Sequence, residues 1–213
     1  MTAVGSRLLI LGAGGHARAV ADLAVECGFT VVGFSDRAGR TLRPDVVGDD
    51  GEALGLLRAG GADAVIVGIG NSALARRAEL FDLLKSSGVA TPQLVHPRAS
   101  VSRSCRIGDG SVVLAGGVLG AGVEVGDNVV IYSQVVAEHD CRIGAHAYLS
   151  PGVILSGAVI VESGAFLGAG AIVLPALTVG KGATVAAGAV VTAHVPAGQT
   201  VIGMPARARG PAA

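Results

Sequence analysis

The sequence predicts two folds in one chain. Residues 1–92 read as a small Rossmann-like α/β domain with a parallel sheet, and residues 93–213 as a parallel β-helix of hexapeptide repeats with a C-terminal tail. Three observations predict this. Aliphatic residues recur at every sixth position from Val95 to Val191. Before Val95, short apolar runs alternate with helix-length segments. Pro92 and Pro97 bracket the change of period.

Arg7–Leu11 is an apolar run of strand length, and Gly12-Ala13-Gly14-Gly15-His16-Ala17 is a tight turn behind it. Ala17–Cys27 reads as a helix and Thr30–Ser35 as a second strand, followed at once by Asp36 and Arg37. Glu52–Ala59 is a helix and Ala64–Val67 a third strand. Gly68-Ile69-Gly70-Asn71 is a second Gly-rich turn, followed by a helix over Ala73–Ser86. Strands alternating with helices imply a parallel, doubly wound sheet. Val89–His96 is a short link into the β-helix.

The first turn fits a loose dinucleotide fingerprint: Gly12, Gly14, Ala17, then acidic Asp36. Glycines let backbone approach phosphate oxygens, and a helix N-terminus adds partial positive charge. A plain strand–turn–helix and an NAD site are the competing readings. This segment holds only three or four strands, about one mononucleotide half of the usual fold. A nucleotide sugar fits better, its diphosphate over the turn and Asp36 and Arg37 near the base or ribose.

The β-helix rests on its register. Every sixth residue from Val95, through Ile131 and Leu149 to Val191, is aliphatic, and only Ala137 is small. A second, mostly small or β-branched series follows four residues later and includes Cys105, Ala147 and Ala183. An α-helix cannot hold a period of six, because its faces recur every 3.6 residues. A β-helix turns each aliphatic inward, and stacked coils bury one apolar column. Its narrow interior suits an aromatic content of only 3%.

Composition narrows the partners. The chain has 213 residues and zero formal net charge. Nucleic acid and anionic membranes need a basic face, so neither is an expected partner. No apolar stretch reaches the ~20 residues of a membrane span, and the N-terminus does not read as a signal peptide. A cytoplasmic protein without membrane insertion is expected. Cys105 and Cys141 fall in the small inward series and read as core residues.

Among the histidines, His139 stands out, flanked by Glu138 and Asp140 at an outward or corner position. An imidazole titrates near neutrality, and a carboxylate beside it fixes its tautomer, which suits a general base. A solvated surface histidine is the bland reading. His16 either touches a phosphate or is a polar residue at a helix start. His146 reads as a turn residue. Zinc held by histidines is disfavoured, because His139 and His146 lie at different register positions; no metal is expected.

Several segments together resemble a known family. They are Gly12-Ala13-Gly14-Gly15-His16, Phe34-Ser35-Asp36-Arg37, Gly68-Ile69-Gly70-Asn71, Glu138-His139-Asp140-Cys141-Arg142-Ile143-Gly144, and the terminal Val201-Ile202-Gly203-Met204-Pro205-Ala206-Arg207. Over nearly the whole chain they resemble bacterial hexapeptide-repeat sugar acetyltransferases: the sialic acid O-acetyltransferases and the UDP-4-amino-sugar N-acetyltransferases of bacillosamine and perosamine type. The resemblance implies a left-handed β-helix, a homotrimer and acetyl-CoA in the groove between neighbouring copies. It implies His139 as base, with Asp140 orienting it. It places cofactor contacts at Gly157, Ala169 and Ala187, and nucleotide-sugar contacts at Gly14, Gly15, Asp36, Arg37, Gly70 and Asn71. Many relatives carry a second histidine where this chain has Tyr148. Either Tyr148 or His146 is then the candidate for that contact to the thioester.

The expected reaction is direct acetyl transfer to the amine of a UDP-4-amino-4,6-dideoxy sugar. O-acetylation of sialic acid is the rival acceptor chemistry, and a non-catalytic trimeric nucleotide-binding scaffold the rival class. Flat β-helix faces carrying Ala115, Ala121, Ala145 and Ala169 are expected to pack the copies together.

Overall fold

A computed structural model describes residues 5–36 and 45–209. Arg37 therefore lies outside the described residues. The chain forms two compact units, Met1–Pro97 and Arg98–Ala213.

The first unit runs β1 (Arg7–Leu11), α1 (Gly15–Glu26), β2 (Thr30–Ser35), β3 (Val46–Gly48), α2 (Asp50–Arg58), β4 (Ala64–Val67) and α3 (Leu74–Ser86), with a 3₁₀ turn over Asn71–Ala73. The sheet is parallel, in the order β3-β2-β1-β4. Leu9 and Leu11 of β1 pack with Val65 and Val67 of β4 and with Leu80, Phe81 and Leu84 of α3. Leu8 and Ile10 point to the opposite face by the strand's period of two and are equally buried. The chain leaves β1 toward β2 and β3, then crosses back to β4 on the other side. Such a reversal opens a crevice beyond the carboxyl ends of β1 and β4.

The strands at Arg7, Thr30 and Ala64 begin and end where the sequence predicts. The first two helices start earlier, at Gly15 and Asp50 rather than Ala17 and Glu52, and the third one residue later, at Leu74 rather than Ala73. In α2 the cause is Asp49, whose carboxylate accepts from the Gly51 and Glu52 amides while Glu52 reaches back to the Asp49 amide. β3 is a three-residue strand, too short to show a period in the sequence.

The second unit is a left-handed β-helix of two-residue strands in three parallel ladders, each coil eighteen residues long. Val113, Ile131, Leu149, Leu167 and Val185 stack as one fully buried inward column. Val101 and Ile107 are half-buried, since each pairs with a coil on one side only. Three corners join the ladders. In one coil they are residues 138–141, 144–147 and 150–153, repeated every eighteen. At the far end, Arg207–Ala208 pairs antiparallel with Thr200–Ile202 and covers that sheet edge.

The alanine faces are corrected. Ala121 lies at the first corner, Ala145 at the second, and Ala115 and Ala169 at the third. In a two-residue strand only the residue before each inward aliphatic faces outward. One flat face is therefore a ladder of Val118, Val136, Ile154, Ile172 and Val190. Val118 and Ile154 are exposed on it.

Candidate active site

Two glycine turns meet in the α/β unit. A Cβ on Gly12 would lie 3.3 Å from the Gly68 carbonyl and from Ile69 Cγ1. Gly12 also has φ +110, a backbone that side chains other than glycine rarely adopt. A Cβ on Gly68 would come within 2.5 Å of Ile10 Cγ2 and 3.0 Å of Ala17 Cα. Ala17 thus does the work of the fingerprint's third small residue: it lets α1 sit against the end of β4.

Gly14 caps α1 in an extended conformation, with no side-chain cap and no acidic residue in the first turn. Gly14 and Gly15 are exposed, and Gly70 heads the 3₁₀ turn, also without a side-chain cap. Asn71 is exposed behind it. By contrast α2 closes its own N-terminus with Asp49 and Glu52. The unit therefore leaves open the helix end that follows β1 and the turn that follows β4, which is where an anion is favoured. Asp36 is half-buried at the end of β2, and its amide donates to the Gly48 carbonyl at 2.9 Å.

His16 is not on the open side of the turn. It is 7% exposed, and burial, then the Arg77 charge, lowers its pKa to about 3. It is neutral at physiological pH and offers no charge to a phosphate. Nothing in the sequence marks Arg77, which is 1% exposed and donates through Nη1 to the carbonyls of Val67 at 2.7 Å and Ile69 at 3.4 Å. Nor does the sequence point to Ser35, Asp50 and Arg76. The Gly12 amide donates to Ser35 Oγ at 3.1 Å, Ser35 Oγ donates to Asp50 at 2.6 Å, and Arg76 donates to Asp50 at 2.9 Å. This chain of bonds ties the first turn to α2 and α3, and only the folded sheet assembles it.

In the β-helix, His139 and Asp140 occupy the first corner. Asp140 has φ 60, in the left-handed region that aspartate enters more readily than most residues. That turn brings its carboxylate to 2.9 Å from His139 Nδ1. A carboxylate only accepts, so Nδ1 carries a proton, and in the neutral ring Nε2 then holds the lone pair. Both side chains are exposed. One coil on, Gly157 lies beneath the ring: a Cβ there would stand 2.5 Å from Nε2 and 2.6 Å from Cε1. One coil back, Gly122 leaves room for the Asp140 carboxylate, which a Cβ would meet at 2.8 Å.

The other cofactor candidates lie elsewhere on the coil. His146 is at the second corner with φ 62, its Nδ1 3.0 Å from Asn128 Nδ2. Tyr148 is 4% exposed, its ring 5.8 Å from Tyr132 and 5.7 Å from Phe166. Packed among aromatics on a ladder strand, Tyr148 is away from the His139 corner of its own coil. Ala169 and Ala187 stack at the third corner, where a Cβ on Gly168 would lie 2.4 Å from the Ala187 amide. Cys141 is buried and bonds the Ser156 carbonyl at 3.2 Å, and burial raises its pKa. It is held as a thiol, not a nucleophile. Among the described residues no group of three or more His, Cys, Asp or Glu side chains is placed to hold a metal. No described helix is long and apolar enough to cross a membrane.

Comparison with known proteins matches residues 7–82 to the PglD N-terminal domain family. Residues 122–157 match bacterial transferase hexapeptide (six repeats), and 158–193 the hexapeptide repeat of succinyl-transferase. Among solved structures, PerB from Caulobacter crescentus, in complex with CoA and GDP-perosamine, is 39% identical. The match covers 98% of this chain and 99% of PerB, with a TM-score of 0.90. Two further structures of that perosamine N-acetyltransferase have a histidine replaced by asparagine or alanine. The acetyltransferase domain of PglB from Neisseria gonorrhoeae, in complex with acetyl coenzyme A, is 34% identical over 96% of this chain and 100% of that one, with a TM-score of 0.85. WeeI from Acinetobacter baumannii is 29% identical over 95% and 99%, with a TM-score of 0.80. No curated protein sequence matches.

Proposed function

The chain belongs to the family of sugar N-acetyltransferases that includes PerB and the PglB acetyltransferase domain, and on that premise we propose that it moves acetyl from acetyl-CoA to the amine of a nucleotide-linked 4-amino-4,6-dideoxy sugar. The observation that carries this reading is the His139 corner. Asp140 holds Nδ1, so Nε2 is free to accept a proton, and Gly157 leaves the ring open on that side. The amine nitrogen attacks the thioester carbonyl, and Nε2 takes the amine proton as the C–N bond forms. The C–S bond then breaks, and the imidazolium returns the proton to the departing CoA thiolate. Direct transfer needs no covalent enzyme intermediate, in keeping with the buried thiol of Cys141.

The nucleotide diphosphate belongs over Gly14, Gly15, Gly70 and Asn71, with Asp36 and Arg37 toward the base or ribose. Acetyl-CoA belongs along Gly157, Ala169 and Ala187. Gly157 lies at the first corner and the two alanines, one coil apart, at the third, so a single extended cofactor reaches both sets where the first corner of one copy faces the third corner of another. A homotrimer provides that meeting, and the ladder of Val118, Val136, Ile154, Ile172 and Val190 is an apolar face for it. His146 and Tyr148 also lie off the His139 corner, so either would reach the thioester only from a neighbouring copy. Sedimentation as a monomer would contradict this arrangement.

The deciding experiment follows thiol release from acetyl-CoA. The acceptors are a UDP-linked 4-amino-4,6-dideoxy sugar, its GDP-linked counterpart of perosamine type, and free sialic acid. Release with one nucleotide sugar and not with sialic acid supports the reading and names the base. Release with sialic acid alone overturns it in favour of O-acetylation.

A further inference from the structure

Arg77 is a buried cation placed directly behind the proposed nucleotide crevice. It comes from α3 and reaches under the turn that follows β4, where Nη1 donates to the carbonyls of Val67 and Ile69. A buried guanidinium is a costly residue for a core position that a leucine or methionine could fill. Its geometry gives it a use. The peptide bond is planar and trans, so its C=O and N–H point in opposite directions. With the Ile69 carbonyl turned toward the guanidinium, the Gly70 N–H is turned away from it. Gly70 caps the Asn71–Ala73 turn with no side chain over it. The same turn abuts Gly12, where a Cβ would press on Gly68 and Ile69 at 3.3 Å and the φ of +110 already disfavours a side chain. A shift of one glycine turn therefore moves the other.

We propose that Arg77 is a positioning residue for the nucleotide: it pins the carbonyls beneath the second glycine turn, aims the Gly70 amide outward, and sets a fixed positive charge behind the diphosphate. This rests on the nucleotide-sugar reading above. His16 supports it. Packed beside Arg77 and buried, its imidazole stays neutral, so Arg77 is the charged member of the pair at physiological pH.

The test is calorimetric binding of UDP, GDP and acetyl-CoA to the full chain. Arg77→Met keeps the bulk and removes the donors and the charge. It is expected to weaken binding of the preferred nucleoside diphosphate about tenfold or more, with acetyl-CoA binding changed less than about twofold. Arg77→Lys keeps the charge without the planar fork and should fall between. Gly70→Pro deletes the aimed N–H while Arg77 stays in place. Gly70 has φ −83, close to the proline range. It should lose nucleotide binding to a similar extent, and it decides the matter if Arg77→Met fails to fold. Nucleotide binding undiminished in these variants overturns the inference, as does a parallel loss of acetyl-CoA binding. A wild-type protein that binds acetyl-CoA but neither UDP nor GDP removes the nucleotide reading itself, and the inference with it.

Discussion

His139 and Gly157 lie one coil apart and meet because each coil repeats the last. Gly12 and Gly68 meet because the chain leaves one side of a sheet and returns on the other. In the β-helix, a residue's neighbours are those eighteen before and eighteen after it, whatever lies between. In the α/β unit, the neighbours of the first glycine turn come from β2, α2, β4 and α3. A change at a β-helix corner should thus be felt within a coil or two, as expected for a structure whose coils touch only their neighbours. A change at a glycine turn should travel through the whole unit.

The largest expected effect tests the locality of the β-helix corner. His139→Ala should cut turnover about 10²- to 10⁴-fold and leave nucleoside diphosphate binding where it was. Steady-state kinetics beside calorimetry checks both, and full turnover would remove His139 from the reaction. Next is Gly157→Ala. The new methyl would claim the space 2.5 Å from His139 Nε2, and Gly157 does not need a left-handed backbone. Ring displacement is the expected consequence, with about 10²-fold lost in turnover and little change in melting temperature. A large drop in melting temperature would mean that the glycine serves the coil and not the ring.

A third prediction separates the units by pH. The folded pKa of His16 is about 3, below its ordinary value of 6.5. Between those values the unfolded chain binds a proton that the folded chain does not, so stability falls as pH falls through that window. At pH 5 the α/β unit should have lost roughly 2 kcal/mol. The Asp63 carboxylate, held down to about 2 by its hydrogen bonds from Arg7, adds a loss only at lower pH, below the ordinary carboxylate value. Amide exchange in β1 and β4 should quicken between pH 7 and 5, after correction for the intrinsic rate, while that of the β-helix strands does not. Equal change in both units would break the comparison. The smallest effect is expected for Asp140→Asn. The His139–Asp140 pair is exposed on both sides, 65% and 71%. Such a pair is worth about 1 kcal/mol or less, so turnover should drop no more than about fivefold. A larger loss would indicate that assembly buries the corner.

Legibility followed the same division. The period alone turns Ile131, Leu149 and Leu167 inward, and all three are fully buried. His139 could be singled out because the register fixed its place at a corner and its neighbours are acidic. The flat faces are not legible from the alanines, because small residues sit at the corners and only the position before each inward aliphatic faces outward from a strand. In the first unit the three longer strands were legible as apolar runs bounded by glycine. The Val46–Gly48 strand and the buried Arg77 were not. An arginine beside another on an amphipathic helix reads as solvent-facing until something shows which side the helix turns inward.

What the sequence determined by itself is everything that depends on local spacing: the coil length, the inward column, the glycine turns, and a histidine with a carboxylate beside it. Those follow from backbone geometry that repeats at fixed intervals. What only the tertiary structure decided is everything that depends on which distant segments touch. It buried His16, put Arg77 beneath the second glycine turn, linked Gly12 to Asp50 through Ser35, and set Tyr148 among aromatics away from the His139 corner. The physical reason is that burial and hydrogen-bond partners belong to pairs of segments, and a pair has no signature in either segment alone.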